Sequence, residues 1–138
     1  MKKLQWGMIG GGEGSQIGPA HRLGSGLDGL FEFSAGAFDH RPEEGIDYGK
    51  RLGLGDRAYG SWQEMLAAEK NRDDRIDLVT VATPNSTHFE ITKEFLEGGF
   101  NVLCVKPMTM TVEEGEEIVK ISQKSGKIYC VLVLTPTL

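Results

Sequence analysis

The sequence predicts an α/β domain on a doubly wound parallel sheet, and three observations carry that prediction. Apolar, strand-like runs alternate with helix-like segments along all 138 residues. The first run ends in a glycine-rich stretch, Gly10-Gly11-Gly12-Glu13-Gly14-Ser15-Gln16-Ile17-Gly18, which feeds a helix. A later run, Ile76-Asp77-Leu78-Val79-Thr80-Val81-Ala82, is apolar almost throughout, the composition of a strand covered on both faces. Strands and helices alternating at this spacing imply right-handed crossovers and about six parallel strands with helices on both faces. Residues 1–138 are expected to form one domain.

Taken in order, residues 3–9 read as the first strand and 19–27 as the first helix. Gly24-Ser25-Gly26 and Asp28-Gly29 break the pattern, and residues 30–38 form a second strand stopped by Asp39-His40-Arg41-Pro42. Helical spacing covers 43–52, and Arg57-Ala58-Tyr59 is a minimal third strand. Ser61-Trp62-Gln63-Glu64 is a capping box that starts a helix through Ala68. Residues 69–75 carry six charges around Asn71 and read as a solvated loop without function.

Residues 76–82 make the central strand, ended by Thr83-Pro84-Asn85. A helix over 86–96 closes on Gly98-Gly99, and 101–105 is the fifth strand. A second capping box, Thr111-Val112-Glu113-Glu114, opens a helix running toward Gly126, and 127–134 is the sixth strand. In such a fold ligands bind beyond the carboxyl ends of the strands, which gathers the loops at 10–18, 39–41, 83–88 and 106–108.

Composition narrows the function. A net charge of -5 gives no support for a nucleic-acid or anionic-membrane binder. No apolar run approaches the roughly 18 residues of a membrane span, and Met1-Lys2-Lys3-Leu4 runs at once into polar Gln5 rather than a signal peptide. The cytoplasm is therefore expected, with Cys104 and Cys130, both in apolar runs, as buried reduced thiols. His21, His40 and His88 have neither ligand spacing nor companion cysteines, so no metal site is expected.

The chemistry begins at the glycines. A strand that ends in glycines and enters a helix lets backbone approach a diphosphate, whose charge meets the helix's unpaired N–H groups. The pattern is irregular: after Gly10-x-Gly12, Ser15 stands where GxGxxG wants its third glycine, and Gly18 comes three positions late. We read a loop lengthened by about three residues, with Gly10, Gly12, Ser15, Gln16 and Ile17 as cofactor contacts and Gly18 opening the helix. Asp39 then follows Gly18 by 21 residues, near the roughly 20 at which a ribose-binding acid is expected. Its carboxylate favours NAD, whereas Arg41, two residues on, could grip the 2′-phosphate of NADP with help from His40; the balance is toward NAD.

Three motifs in register then carry a resemblance: Gly7-Met8-Ile9-Gly10-Gly11-Gly12 continuing to Ile17-Gly18-Pro19-Ala20-His21-Arg22, then Thr83-Pro84-Asn85-Ser86-Thr87-His88, then Val105-Lys106-Pro107-Met108. Together they resemble the Gfo/Idh/MocA oxidoreductases over nearly the whole chain, and within them the sugar and inositol dehydrogenase-like members. The resemblance implies NAD(P)-dependent hydride transfer at a hydroxyl-bearing carbon of a sugar or polyol. It implies that Thr83, Pro84, Asn85 and His88 lie along the cofactor and that Lys106 sits beside the reacting hydroxyl as the catalytic residue.

Two departures stand out. The family's lysine normally follows Glu or Asp, where this chain has Val105. Intact members also carry a second α/β domain that supplies an Asp and a His, forms the substrate wall and commonly the dimer contact, whereas the sequence ends at Leu138. The chain is thus expected to be the cofactor-binding part alone, a fragment or truncated product with little turnover. The alternatives are a non-catalytic nucleotide-binding or interaction module, and a homo-oligomer or partner chain that supplies the missing surface.

Overall fold

The computed structural model describes residues 1–133. Five parallel strands form one sheet: β1 (Leu4–Gly10), β2 (Phe31–Ala37), β3 (Leu78–Ala82), β4 (Asn101–Val105) and β5 (Tyr129–Leu132), in the order β2-β1-β3-β4-β5. The helices are α1 (Ile17–Gly26), α2 (Pro42–Arg51), α3 (Trp62–Lys70), α4 (His88–Glu97) and α5 (Val112–Ser125), with short 3-10 turns at Gly55–Arg57 and Asn85–Thr87. The chain steps outward from β1 to β2 and then returns across β1 to start β3. The topological switch point therefore lies between the carboxyl ends of β1 and β3, where an α/β sheet of this kind opens its ligand crevice.

The expected doubly wound fold stands, with one strand fewer than about six. Ala58 makes a single parallel bridge to Gly36 on the outer edge of β2, backed by Tyr59 N–H donating to the Gly36 carbonyl at 2.8 Å. This puts Arg57-Ala58-Tyr59 where a third strand would run, but the preceding residues are coiled into the 3-10 turn and one bridge is all that forms. The sixth predicted strand is β5, shortened to Tyr129–Leu132; residue 134 of its predicted span lies outside the described residues.

Alternation divides the core in two. Ile9, Ala35, Ala37, Val79, Val81, Val102 and Cys104 face α3, α4 and α5, meeting Met65, Leu66, Ile91, Phe95, Leu96 and Ile118. Trp6 and Met8 point the other way and pack with Phe38, Leu54, Ala58 and Tyr48 beneath α2. β2 serves both cores because its register slips opposite Trp6 and Gly7, with Ser34 as the extra residue, so that Phe33 and Ala35 turn to opposite faces.

Both capping boxes form. Ser61 Oγ accepts from Glu64 N–H and Thr111 Oγ1 from Glu114 N–H, each at 3.2 Å. The return bonds reach one residue further back than the ideal box: the Glu64 carboxylate accepts from Gly60 N–H and the Glu114 carboxylate from Met110 N–H. Gly126, at φ 67°, closes α5 in the left-handed conformation.

Two expectations need correction. Glu69, placed by sequence at the start of a solvated loop, is fully buried on α3. Its carboxylate accepts from Arg57 at 3.0 and 2.8 Å, from Tyr59 Oη at 2.9 Å and from Ile76 N–H at 3.0 Å, which ties the bridging segment, α3 and the approach to β3 into one polar node. The surrounding carboxylate and burial push the Tyr59 hydroxyl up to about 12, burial contributing most. Cys130 is exposed rather than buried, while Cys104 is buried and both are free. The physical reason is coverage: on the face of β3, β4 and β5 opposite α4 and α5, Leu78, Thr80, Leu103 and Leu132 line an open cleft of about 380 Å³ beside α1. Cys130 shares that face because it pairs with Leu103. No helix among the described residues is long and apolar enough to cross a membrane.

Candidate cofactor site

The loop from β1 to α1 is set by close approach. Gly10, Gly11 and Gly14 have φ of 77°, 65° and 79°, a region that side-chain-bearing residues rarely adopt. A Cβ on Gly12 would lie 2.6 Å from the Phe38 carbonyl oxygen. Gly18, buried in the first turn of α1, lies directly on Gly11, whose carbonyl a Cβ on Gly18 would overlap. That tight helix-to-strand packing is the third glycine's task in the dinucleotide fingerprint, so Gly18 performs it three positions late. Ser15 makes the extra turn possible: its N–H donates to the Gly12 carbonyl at 3.1 Å and its Oγ accepts from Gly18 N–H at 3.1 Å, which starts α1 at Ile17, two residues before the predicted start.

A cleft of about 550 Å³ opens at the switch point. Gly10 and Gly11 form its floor, Phe38, Asp39 and His40 one side, Thr83, Pro84 and Thr87 the other, and Gly60, Ser61, Trp62 and Gln63 its outer end. Of the predicted contacts, Gly10, Asp39, Thr83 and Pro84 line this cleft. Gly12, Ser15 and Gln16 sit at the loop beside it, Ile17 turns toward the cleft of the opposite face, and Arg41, Asn85 and Lys106 are exposed around it.

Asp39 is held by its neighbour. Arg41 donates from Nε to Oδ1 at 3.1 Å, from Nη2 to Oδ2 at 3.2 Å and from its backbone N–H to Oδ1 at 2.9 Å. These bonds, the side-chain ones foremost, hold the Asp39 carboxyl down at about 2. His40 Nδ1 lies 3.2 Å from Oδ1, so that oxygen is crowded, whereas Oδ2 has room for another donor. Glu44 Oε2, 2.5 Å from Arg41 Nη2, pins the guanidinium from behind.

His88 has a position that its motif did not indicate. Its ring is fully buried, with Nδ1 2.7 Å from the Pro107 carbonyl and Nε2 2.9 Å from the Thr83 carbonyl. It lies behind the cleft and ties the loop after β3 to the loop after β4, the segment that carries Lys106. The Lys106 N–H continues the ladder to Leu132 at 3.0 Å, leaving its side chain at the carboxyl end of β4. Arg22, noted in sequence only as part of a His-Arg pair, donates to the Gly11 carbonyl at 3.1 Å and to Tyr48 Oη at 2.7 Å.

Sequence reasoning missed Ser61, Trp62, Gln63 and Thr87 as cleft residues. The signal was present for the first three: once the bridging segment lies beside β2, the capping box that follows it must fall next to Asp39.

A parallel sheet with a glycine loop entering a helix after β1, a carboxylate ending β2 and a cleft at the switch point defines an NAD-binding Rossmann domain. The chain belongs to the Gfo/Idh/MocA oxidoreductase family, whose NAD-binding Rossmann fold matches residues 4–133. It is 47% identical over 129 residues to the uncharacterized oxidoreductase YfiI of Bacillus subtilis, covering 92% of this chain and 33% of that protein. An inositol dehydrogenase homologue from Azotobacter vinelandii, solved with NADH and myo-inositol, superposes with a TM-score of 0.91 at 40% identity, over 94% of this chain and 35% of that one. An oxidoreductase from Pseudomonas syringae gives a TM-score of 0.91 at 42% identity, over 94% and 36%. The chain thus spans about a third of the length of these relatives.

Proposed function

We infer that this chain is the cofactor-binding part of a dehydrogenase that moves a hydride between NAD and a hydroxyl-bearing carbon of a sugar, polyol or inositol-like substrate. The observation that carries the reading is the cleft at the switch point, walled by Gly10, Gly11, Asp39, Thr83 and Pro84, with Lys106 at the end of the next strand. The residues fit the cofactor: Gly10 and Gly11 leave the floor of the cleft free of side chains, and Asp39 Oδ2, on one side of it, can accept a ribose hydroxyl.

When bound, NAD supplies the hydride acceptor. The backbone N–H groups of Gln16 and Ile17, at the start of α1, would hold the diphosphate at the positive end of the helix dipole. Trp62 and His40 would flank the adenine end, while Thr83 and Pro84 in the cleft wall and exposed Asn85 beside them would steer the nicotinamide toward β4. His88 acts from behind, fixing the spacing of the loops after β3 and β4. Lys106 Nζ donates a hydrogen bond to the substrate oxygen and stabilises the negative charge it gains as its proton leaves. The groups that shape the substrate pocket and complete proton transfer belong to the remaining two thirds seen in the relatives, so the chain alone holds cofactor and turns over little. The same remainder, or a second copy, covers the open face beside α1, and the cytoplasm suits the two free thiols.

Titration with NADH and NADPH, followed by nicotinamide fluorescence, tests the reading. Saturable binding of NADH supports it, and no saturable change with either nucleotide sinks it. Val105, in place of an acidic residue before Lys106, favours a second reading, a nucleotide-binding module without chemistry. Oxidation of myo-inositol with NAD, lost in Lys106→Ala, would remove that alternative.

A further inference from the structure

The lengthened glycine loop needs something to hold it. Three of its glycines sit at positive φ, and a Cβ on Gly14 would have nothing within 4 Å, so packing does not fix the loop's tip. Two arginines reach it instead. Arg22, from α1, donates to the Gly11 carbonyl at the loop's base. Arg51, in the last turn of α2, donates from Nη1 and Nη2 to the two carboxylate oxygens of Glu13 at 3.2 and 2.6 Å.

Arg51 is itself positioned. Asp47 accepts from its Nε at 3.0 Å, one helical turn earlier. The two guanidiniums also share Tyr48: their carbon atoms lie 5.6 Å (Arg22) and 5.4 Å (Arg51) from the ring centroid, and the ring hydroxyl accepts from Arg22. Base and tip of the loop are therefore anchored on one aromatic side chain.

We propose that Glu13 and Arg51 form a strap that pre-organises the lengthened loop to receive the cofactor diphosphate, so that both are positioning residues for NAD binding. The inference rests on the cofactor reading above. A glycine loop loses much conformational freedom when it closes on a ligand, and a tether that pre-sets its shape removes part of that cost. The sign of one substitution separates this from simple electrostatics. As a bare charge, Glu13 repels a diphosphate, and its removal tightens binding. As half of a strap, its removal weakens binding.

The test is NADH affinity of the 138-residue chain by nicotinamide fluorescence at low salt, with Glu13→Gln, Arg51→Gln and the double variant. An exposed pair of this kind supports an effect of about threefold. Glu13→Gln is expected to weaken binding by that factor, and the double variant to bind no more weakly than Arg51→Gln alone, with the thermal midpoints of all three unmoved. A Glu13→Gln chain that binds as tightly as wild type or tighter, or singles whose effects multiply, overturns the strap. Failure of the wild-type chain to bind NADH would overturn the cofactor reading itself, and the strap with it.

Discussion

Gly18 rests on Gly11 so closely that no side chain fits between the first turn of α1 and the end of β1. Six residues lie between the two in sequence, and the contact makes the irregular glycine pattern a working dinucleotide loop. Gly18→Ala therefore lifts α1 off the loop. It is expected to cost about 1–3 kcal/mol of stability through overpacking and to abolish NADH binding. Urea denaturation and a fluorescence titration check the two effects separately. Wild-type affinity in the variant would show that Gly18 is not the displaced third glycine.

Asp39 and Arg41 set the balance between the two nucleotides. Asp39→Ala is expected to weaken NADH by roughly tenfold, as loss of a hydrogen bond to a charged group does, and to affect NADPH less. Arg41→Ala is expected to weaken NADPH while leaving NADH unchanged or slightly tighter, because Asp39 is released. Paired dissociation constants for both nucleotides decide the matter.

The same pair gives a pH signature. Asp39 titrates at about 2 in the fold against an ordinary 3.8, so its contribution to stability is present above pH 3.8 and is lost as the pH falls toward 2. Arg41→Ala removes the side-chain bonds that contribute most to the shift and keeps the backbone N–H bond to Oδ1. The wild-type advantage over Arg41→Ala in urea midpoint should shrink to nothing across that window, and a constant difference would contradict the assignment.

Glu69 is the polar node of α3. Glu69→Leu leaves Arg57 with only the Asp74 carbonyl at 3.2 Å and the Asp74 carboxylate at 3.6 Å, orphans the Ile76 N–H, and is expected to cost about 3–5 kcal/mol, the range for breaking a buried ion pair. Glu69→Gln keeps an acceptor for Ile76 and should cost distinctly less. Urea denaturation of the two variants measures the gap; equal losses would mean that the Ile76 bond contributes nothing.

The strands were legible because apolar runs of the right length sit between glycines, and 101–105 was read to the residue. The third strand failed because Arg57, inside its short run, turns back to Glu69 rather than extending along β2. Glu69 could have been found. Trp62, Met65, Leu66 and Glu69 follow helical spacing, so the acid lies on the buried stripe of α3, but the run of six charges masks that period. The loop's glycines and Asp39 were readable from spacing alone. Its anchors were not, since Arg22, Tyr48 and Arg51 become neighbours only when α1 and α2 pack on the same face.

The most direct test of the central claim is a map of backbone amide shifts as NADH is added to the 138-residue chain. Saturable changes are expected to concentrate in the loop at 10–18, at Asp39 and in Thr83-Pro84-Asn85, the proline being read through its neighbours. Changes confined to the open face at Trp6, Leu103 and Leu132, or no saturable change at all, would contradict it.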